Sequence, residues 1–133
     1  MVGETNLERL LKSMQPTLIE GEFVFISIAN ATYGDLSHLQ PIAMFCEEEG
    51  MTLVVPKASA EKAGLPYESV FKCITLKIHS SLDAVGLTAA FSNRLASEGI
   101  SANVFAGYYH DHIFVQQDNA EKALQALQSM VGN

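Results

Sequence analysis

The sequence has no run of apolar residues approaching the roughly 20 that a membrane-spanning helix requires. Residues 1–14 carry four charges (Glu4, Glu8, Arg9 and Lys12) and no apolar block of the kind that opens a secreted chain. Cysteine is scarce. Cys46 and Cys73 stand alone, with no CxxC and no histidine at metal-ligand spacing. A disulfide framework and a CxxC zinc site are therefore excluded, and two buried free thiols in a reducing compartment are the expectation. Positive charge is also in short supply, with 8 Lys and Arg against 15 Asp and Glu and a formal net charge of −7. Such a surface repels phosphate backbones, which argues against nucleic acid as a partner. The excess is uneven. Residues 1–70 set Arg9, Lys12, Lys57 and Lys62 against ten carboxylates, whereas residues 71–133 are nearly balanced. The expectation is a soluble cytoplasmic protein with neither a membrane nor a nucleic-acid partner.

Hydrophobic residues make up 48% of the 133 positions, enough for a packed core. Thr5 and Glu8 form a capping-box pattern ahead of an apolar stripe of Leu7, Leu10, Leu11 and Met14, which predicts a first helix stopped by Pro16. Glu22–Ala29 alternates with apolar residues on both faces, as an interior strand does. Residues 42–47 and 51–55 read as a hairpin around Glu48-Glu49-Gly50, followed by a short helix from Ser59 to Ala63. Val70–His79 is the clearest strand. Leu87, Phe91 and Leu95 then mark an amphipathic helix ended by Gly99, with Ile100 folding back on Leu95. Strands over 102–108 and 112–116 and a helix opened by Asp118 and Glu121 complete the chain.

The element order repeats. Ala60-Glu61-Lys62-Ala63 recurs as Ala120-Glu121-Lys122-Ala123, each after an apolar strand, at an offset of 60 residues. Ile26-Ser27-Ile28 matches Leu76-Lys77-Ile78 at an offset of 50. The first copy thus lacks about ten residues where the second has its long helix, so its own first helix is stunted. Strands with helices on one face predict an α+β fold of two ferredoxin-like βαββαβ units with antiparallel sheets. The division is 1–69, an N-terminal helix plus a degenerate unit, and 70–133, the unit with the long helix. The second unit ends without a fourth strand, so residues 17–19 or a partner subunit must fill that edge.

The second half resembles an ACT domain. The residues that carry the likeness are strand Ile74–Ile78, the loop Ser81-Leu82-Asp83-Ala84-Val85-Gly86-Leu87, Gly99-Ile100, the strand residues Ala102-Asn103-Val104, and Asp111–Val115. The first half, from Pro41 to Pro56, resembles the partner half of small stand-alone bacterial ACT-domain proteins, whose tandem halves are similar to the regulatory part of aspartate kinases. The resemblance implies a non-catalytic regulatory protein that binds a small effector, often an amino acid, with no cofactor and assembled as a homo-oligomer, dimer or tetramer. The family's usual proline before the glycine is Val85 here, which leaves the loop less rigid.

Asp83, Ala84, Val85, Gly86 and Leu87 are the leading ligand-binding candidates. Free amides at a helix N-terminus suit a carboxylate, Gly86 permits close backbone approach, and Asp83 suits an α-ammonium. Taken alone, the same residues serve equally well as a helix cap and a packing glycine; the resemblance favours binding. Asn103, Ala106 and Gly107 on the adjoining strand are further candidates, with a solvent-facing polar position as the alternative for Asn103. His110 and His112, two apart on a strand, share a face and with His79 or Asp111 offer a weaker metal-binding alternative, against a plain surface turn. His79-Ser80-Ser81 is no nucleophile–base pair, because neighbouring strand residues point apart and no nucleophile elbow is present. The remaining alternative is an interaction module with no small ligand.

Overall fold

The computed structural model describes residues 6–32, 34–77 and 86–131. The chain forms two compact units: residues 21–71, and residues 1–20 together with 72–133.

The second unit is the fuller one. Its helix α1 (Leu7–Ser13) is capped by Asn6, whose Oδ1 accepts from the Arg9 amide at 3.1 Å. The capping-box pattern had pointed to Thr5, which lies outside the described residues; Asn6, one residue on, is equally suited by chemistry. After the helix comes β1 (Pro16–Leu18), which pairs antiparallel with β5 (Phe71–Leu76) in the register Pro16↔Leu76, Thr17↔Thr75 and Leu18↔Ile74. The Ile19 amide extends that pairing with a 2.9 Å bond to the Cys73 carbonyl. The missing edge strand is therefore supplied by the chain's own N-terminal segment rather than by a partner. With β6 (Asn103–Ala106) and β7 (Asp111–Gln116), the order is β1-β5-β7-β6, the ferredoxin-like arrangement.

Helix α3 (Leu87–Ser97) and helix α4 (Ala120–Val131) lie with α1 on one face of this sheet. Leu87, Phe91 and Leu95 from α3 meet Ile74, Leu76, Ile113 and Val115 from the strands and Ala123 and Leu127 from α4 in one buried cluster. Alternation explains the strand contribution: every second residue of β5 and β7 turns to the helices. Leu10 and Met14 enter the same cluster, each only 1% exposed. That burial is why residues 1–20 group with the second half and not, as the 1–69 division has it, with the first. Helix α3 ends as the sequence suggested, with the Ile100 amide bonded to the Leu95 carbonyl at 3.0 Å and the Ile100 side chain buried.

The first unit consists of β2 (Phe23–Ile28), β3 (Ala43–Glu47), β4 (Gly50–Pro56) and helix α2 (Lys57–Ala63). Strand β4 is central, pairing with β2 from Phe23↔Pro56 to Ile28↔Met51 and with β3 from Ala43↔Val54 to Glu47↔Gly50. Phe71 at the start of β5 pairs with Phe23. Helix α2 begins at Lys57, two residues before the expected Ser59 cap, because Pro56 with its fixed φ already opens the turn; the Lys57 amide bonds to the Glu22 carbonyl at 2.9 Å. Val24, Ile26, Met51, Leu53 and Val55 form the core with Leu39 and Ala60. Where the second unit has the eleven-residue α3, this one has a single 3-10 turn, Ser37–Leu39. The stunted helix read from the ten-residue deficit is thus present as a turn.

Candidate functional site

Of the ligand-binding candidates, Asp83, Ala84 and Val85 lie outside the described residues, as does His79. Gly86 is the N-cap of α3, with φ +97° and its carbonyl accepting from the Ala90 amide at 2.9 Å. A Cβ there would stand 3.3 Å from Leu7 Cδ2, the tip of a flexible side chain, so it is the left-handed backbone that calls for glycine. Glycine brings no side chain to the first-turn amides, which are left to other acceptors. Leu87 is 4% exposed and belongs to the core.

The strand candidates divide. Asn103 sits opposite Phe114, and its Nδ2 donates to the Phe114 carbonyl at 3.2 Å, so half of the amide is occupied by the sheet. Ala106 lies at the other end of β6, opposite Asp111. Gly107 closes the hairpin by donating its amide to the His110 carbonyl at 3.0 Å, and a Cβ would fall 2.8 Å from that oxygen. Gly107 is therefore required by the turn itself. The structure brings Ala106, Gly107, His110, Asp111 and His112 together at the hairpin and leaves Asn103 at the far end of the strand.

This hairpin carries a polar cluster that the sequence did not disclose. Thr75 Oγ1 and His112 Nδ1 are 3.0 Å apart, and Cys73 Sγ lies 3.9 Å from the same hydroxyl. Asp111 is buried, and His110 Nδ1 is buried with no hydrogen-bond partner among the described residues. The His110 and His112 ring centroids are 6.4 Å apart at 80°, and no group of three or more His, Cys, Asp or Glu able to hold a metal ion occurs among the described residues. His110 Nδ1 has no hydrogen bond among the described residues, whereas the Nδ1 of His112 is committed to Thr75, which ties the hairpin to β5. The contact joins residues 37 apart in sequence, which is why the spacing of the histidines alone gave no sign of it.

Burial sets the titration of the cluster. It pushes the Asp111 carboxyl above the ordinary carboxylate range, against the pull of His112 and His110. It pushes His112 below the ordinary imidazole value, helped by repulsion from His110 and opposed by Asp111. The Cys73 thiol is raised by the same burial, which leaves it protonated and inert. Because folded His112 holds its proton less tightly than the unfolded chain does, its contribution to stability is complete above the ordinary imidazole value and is lost as pH drops through it, while Asp111, held above the ordinary carboxylate value, works in the opposite sense at lower pH. Urea midpoints are expected to decline from pH 7 to pH 5. His112→Asn, which keeps a hydrogen-bonding group beside Thr75, should flatten that decline; an unchanged slope would remove His112 as its source.

Among the described residues of the first unit, two concave sites are found, away from every candidate named above. One is an apolar groove of about 550 Å³ whose floor is Met51 and Leu53 and whose walls are Leu36, Pro41, Ile42 and Met44. The other, of about 600 Å³, is more polar and includes His38, Gln40, Ser59 and Lys62. The ten-residue deficit was the available signal for the first: a sheet face without its helix stays partly open.

The sheet order, the helices on one face and the tandem repetition define a pair of ferredoxin-like units of the kind found in ACT domains, which are regulatory, ligand-binding modules. ACT-domain profiles match residues 2–72 and again residues 68–129, and the chain belongs to the ACT-domain family. It is similar to a protein of unknown function from Vibrio cholerae described as a possible transport protein, with 53% identity, a TM-score of 0.86, and coverage of 94% of this chain and 95% of that one. It shares its fold, at 14% identity and a TM-score of 0.65, with an aspartate kinase from Clostridium acetobutylicum, covering 90% of this chain and 34% of the kinase. The regulatory subunit of aspartate kinase from Thermus flavus has the same fold at 13% identity and a TM-score of 0.59, with 88% and 95% coverage. No curated protein matches the chain. Among the described residues, no helix is long and apolar enough to cross a membrane.

Proposed function

We propose that the protein is a cytoplasmic, non-catalytic sensor that binds an amino-acid-like effector at the mouth of α3 and needs no cofactor. The observation that carries this reading is the pair of ACT-domain matches, which together run from residue 2 to residue 129. In this reading the backbone of Asp83–Leu87 receives the effector's carboxylate and Asp83 its ammonium, with Asn103, Ala106 and Gly107 as the strand-side residues. The glycine cap at Gly86 supports it, because a capping side chain would compete for the same amides. Thermal unfolding of the full chain against the twenty amino acids tests it. An effector at 100 times its Kd stabilises the protein by about 2.7 kcal/mol. Absence of any shift with amino acids, nucleobases and common cofactors would refute sensing.

A second reading, a module that docks on protein and binds nothing small, is favoured by one feature. Strand β3 pairs only with β4 among the described strands, and it presents Met44 and Phe45 at 37% and 65% exposure, with Ile42 beside them at 50%. An open apolar strand edge promotes pairing with another chain. It equally supports self-association of the sensor as a dimer or tetramer. Phe45→Lys is expected to lower the mass measured by light scattering to that of one chain if β3 joins copies; unchanged mass would place the association elsewhere.

A further inference from the structure

Asp111 opens β7 opposite Ala106 and is only 8% exposed. Among the described residues its carboxylate takes part in no hydrogen bond and no ion pair. A carboxylate withdrawn from water without a donor costs stability, and a buried group left in this state calls for a partner. Neither neighbouring histidine is bonded to it. His112 turns its Nδ1 to Thr75 at 3.0 Å, and His110 Nδ1 is itself buried without a partner among the described residues. The cost shows in the carboxyl's hold on a proton, which burial strengthens against the pull of both imidazoles.

The place of this group in the fold indicates what it meets. Strand alternation turns Asp111 to the side of Ile113 and Val115, the side that bears the helices. The Thr75–His112 bond sets the end of β5 beside the start of β7, and Leu76, Leu87 and Ile113 share one cluster. The first turn of α3 therefore lies at the same end of the sheet. Gly86 caps that turn without a side chain, so its positively polarised amides are claimed by no capping group. No hydrogen bond joins Asp111 to α3 among the described residues, so the two do not satisfy each other. One end of the sheet thus holds donors for an anion and, separately, an acceptor for a cation, and a zwitterion answers both.

We propose that Asp111 receives the protonated amine of the effector and is the residue that selects amine-bearing molecules over plain carboxylates. This rests on the sensing reading for a ligand at α3 and adds to it a contact from β7. An ammonium carries three donors, so a contact with Asp83 leaves donors for Asp111.

The test is a titration of the full chain, labelled at backbone amides, with methylammonium, acetate and glycine at constant ionic strength. Methylammonium is expected to move the Ala106, Asp111 and His112 amides saturably, acetate the Leu87 and Thr88 amides, and glycine both sets. Asp111→Asn, which keeps the shape and removes the charge, should weaken methylammonium and glycine by about tenfold or more and leave acetate unchanged. It should also raise the urea midpoint of the unliganded protein, because an unpaired buried charge is gone. A lower midpoint together with unchanged glycine affinity would make Asp111 a structural residue and overturn the proposal. So would Ala106, Asp111 and His112 amides that stay still with methylammonium in the parent chain, a result that needs no variant. Sodium or zinc ions moving those amides as methylammonium does would overturn it as well. Acetate shifts at Leu87 with methylammonium silent would keep the sensing reading and refute this one. Saturable methylammonium shifts without a response to any amino acid would keep Asp111 as an amine site and refute sensing.

Discussion

Phe91→Ala is expected to destabilise the protein by about 3–5 kcal/mol, the cost of emptying a fully buried aromatic position. Phe91 is 0% exposed and lies at the centre of the α3 face, between Leu87 and Leu95 and above Ile74, Leu76 and Ile113. The neighbours belong to two strands and another helix, so they cannot collapse together without moving the sheet. Against a typical total of about 5–15 kcal/mol, the loss is a large share of all stability. Urea unfolding followed by circular dichroism measures it. A cost below about 1 kcal/mol would mean that α3 is not packed as described.

Leu10→Ala is expected to cost about 2–5 kcal/mol, and where the cost falls is more informative than its size. Leu10 is 1% exposed within the cluster that contains Ile74, Leu76 and Ile113. Hydrogen exchange should accelerate in β5 and β7, which belong to the same compact unit as residues 1–20, more than in β2 and β4 of residues 21–71. Faster exchange centred on β2 and β4 would place the N-terminal helix with the first unit after all.

That contrast shows what local pattern discloses. Alternation in residues 22–29 and 70–79 and the Leu87-Phe91-Leu95 spacing each mark an element through its neighbours in sequence, and β2, β5 and α3 lie where those patterns fall. The last helix buries Ala120, Ala123, Ala126 and Leu127 at helical spacing. Strand β1 is three residues long and pairs with residues nearly sixty positions away, so its place is legible only through the second unit's missing fourth strand, which residues 17–19 are expected to fill, and not through any local pattern. At that non-local contact the compact units depart from the chain-order division at residue 69. The family profiles, which also change over near residue 70, follow chain order in the same way.

The candidate site was legible to a different degree. Glycine at 86 and at 107 could be noticed in the sequence, but its cause differs in the two places. Gly86 is a left-handed helix cap, and Gly107 is a turn that has no room for a Cβ. Neither the Thr75–His112 bond nor the apolar groove has a motif, because each is assembled from separate strands and turns. The groove's trace in the sequence is the deficit of about ten residues, which predicts a short helix rather than an opening.

Native mass spectrometry of the full chain, before and after addition of each amino acid, addresses the sensing claim most directly. The expected result is a complex whose excess mass equals one small amino-acid-like molecule per chain, formed saturably and lost when the chain is unfolded. Bare polypeptide under every condition, with the protein folded by circular dichroism, would contradict it.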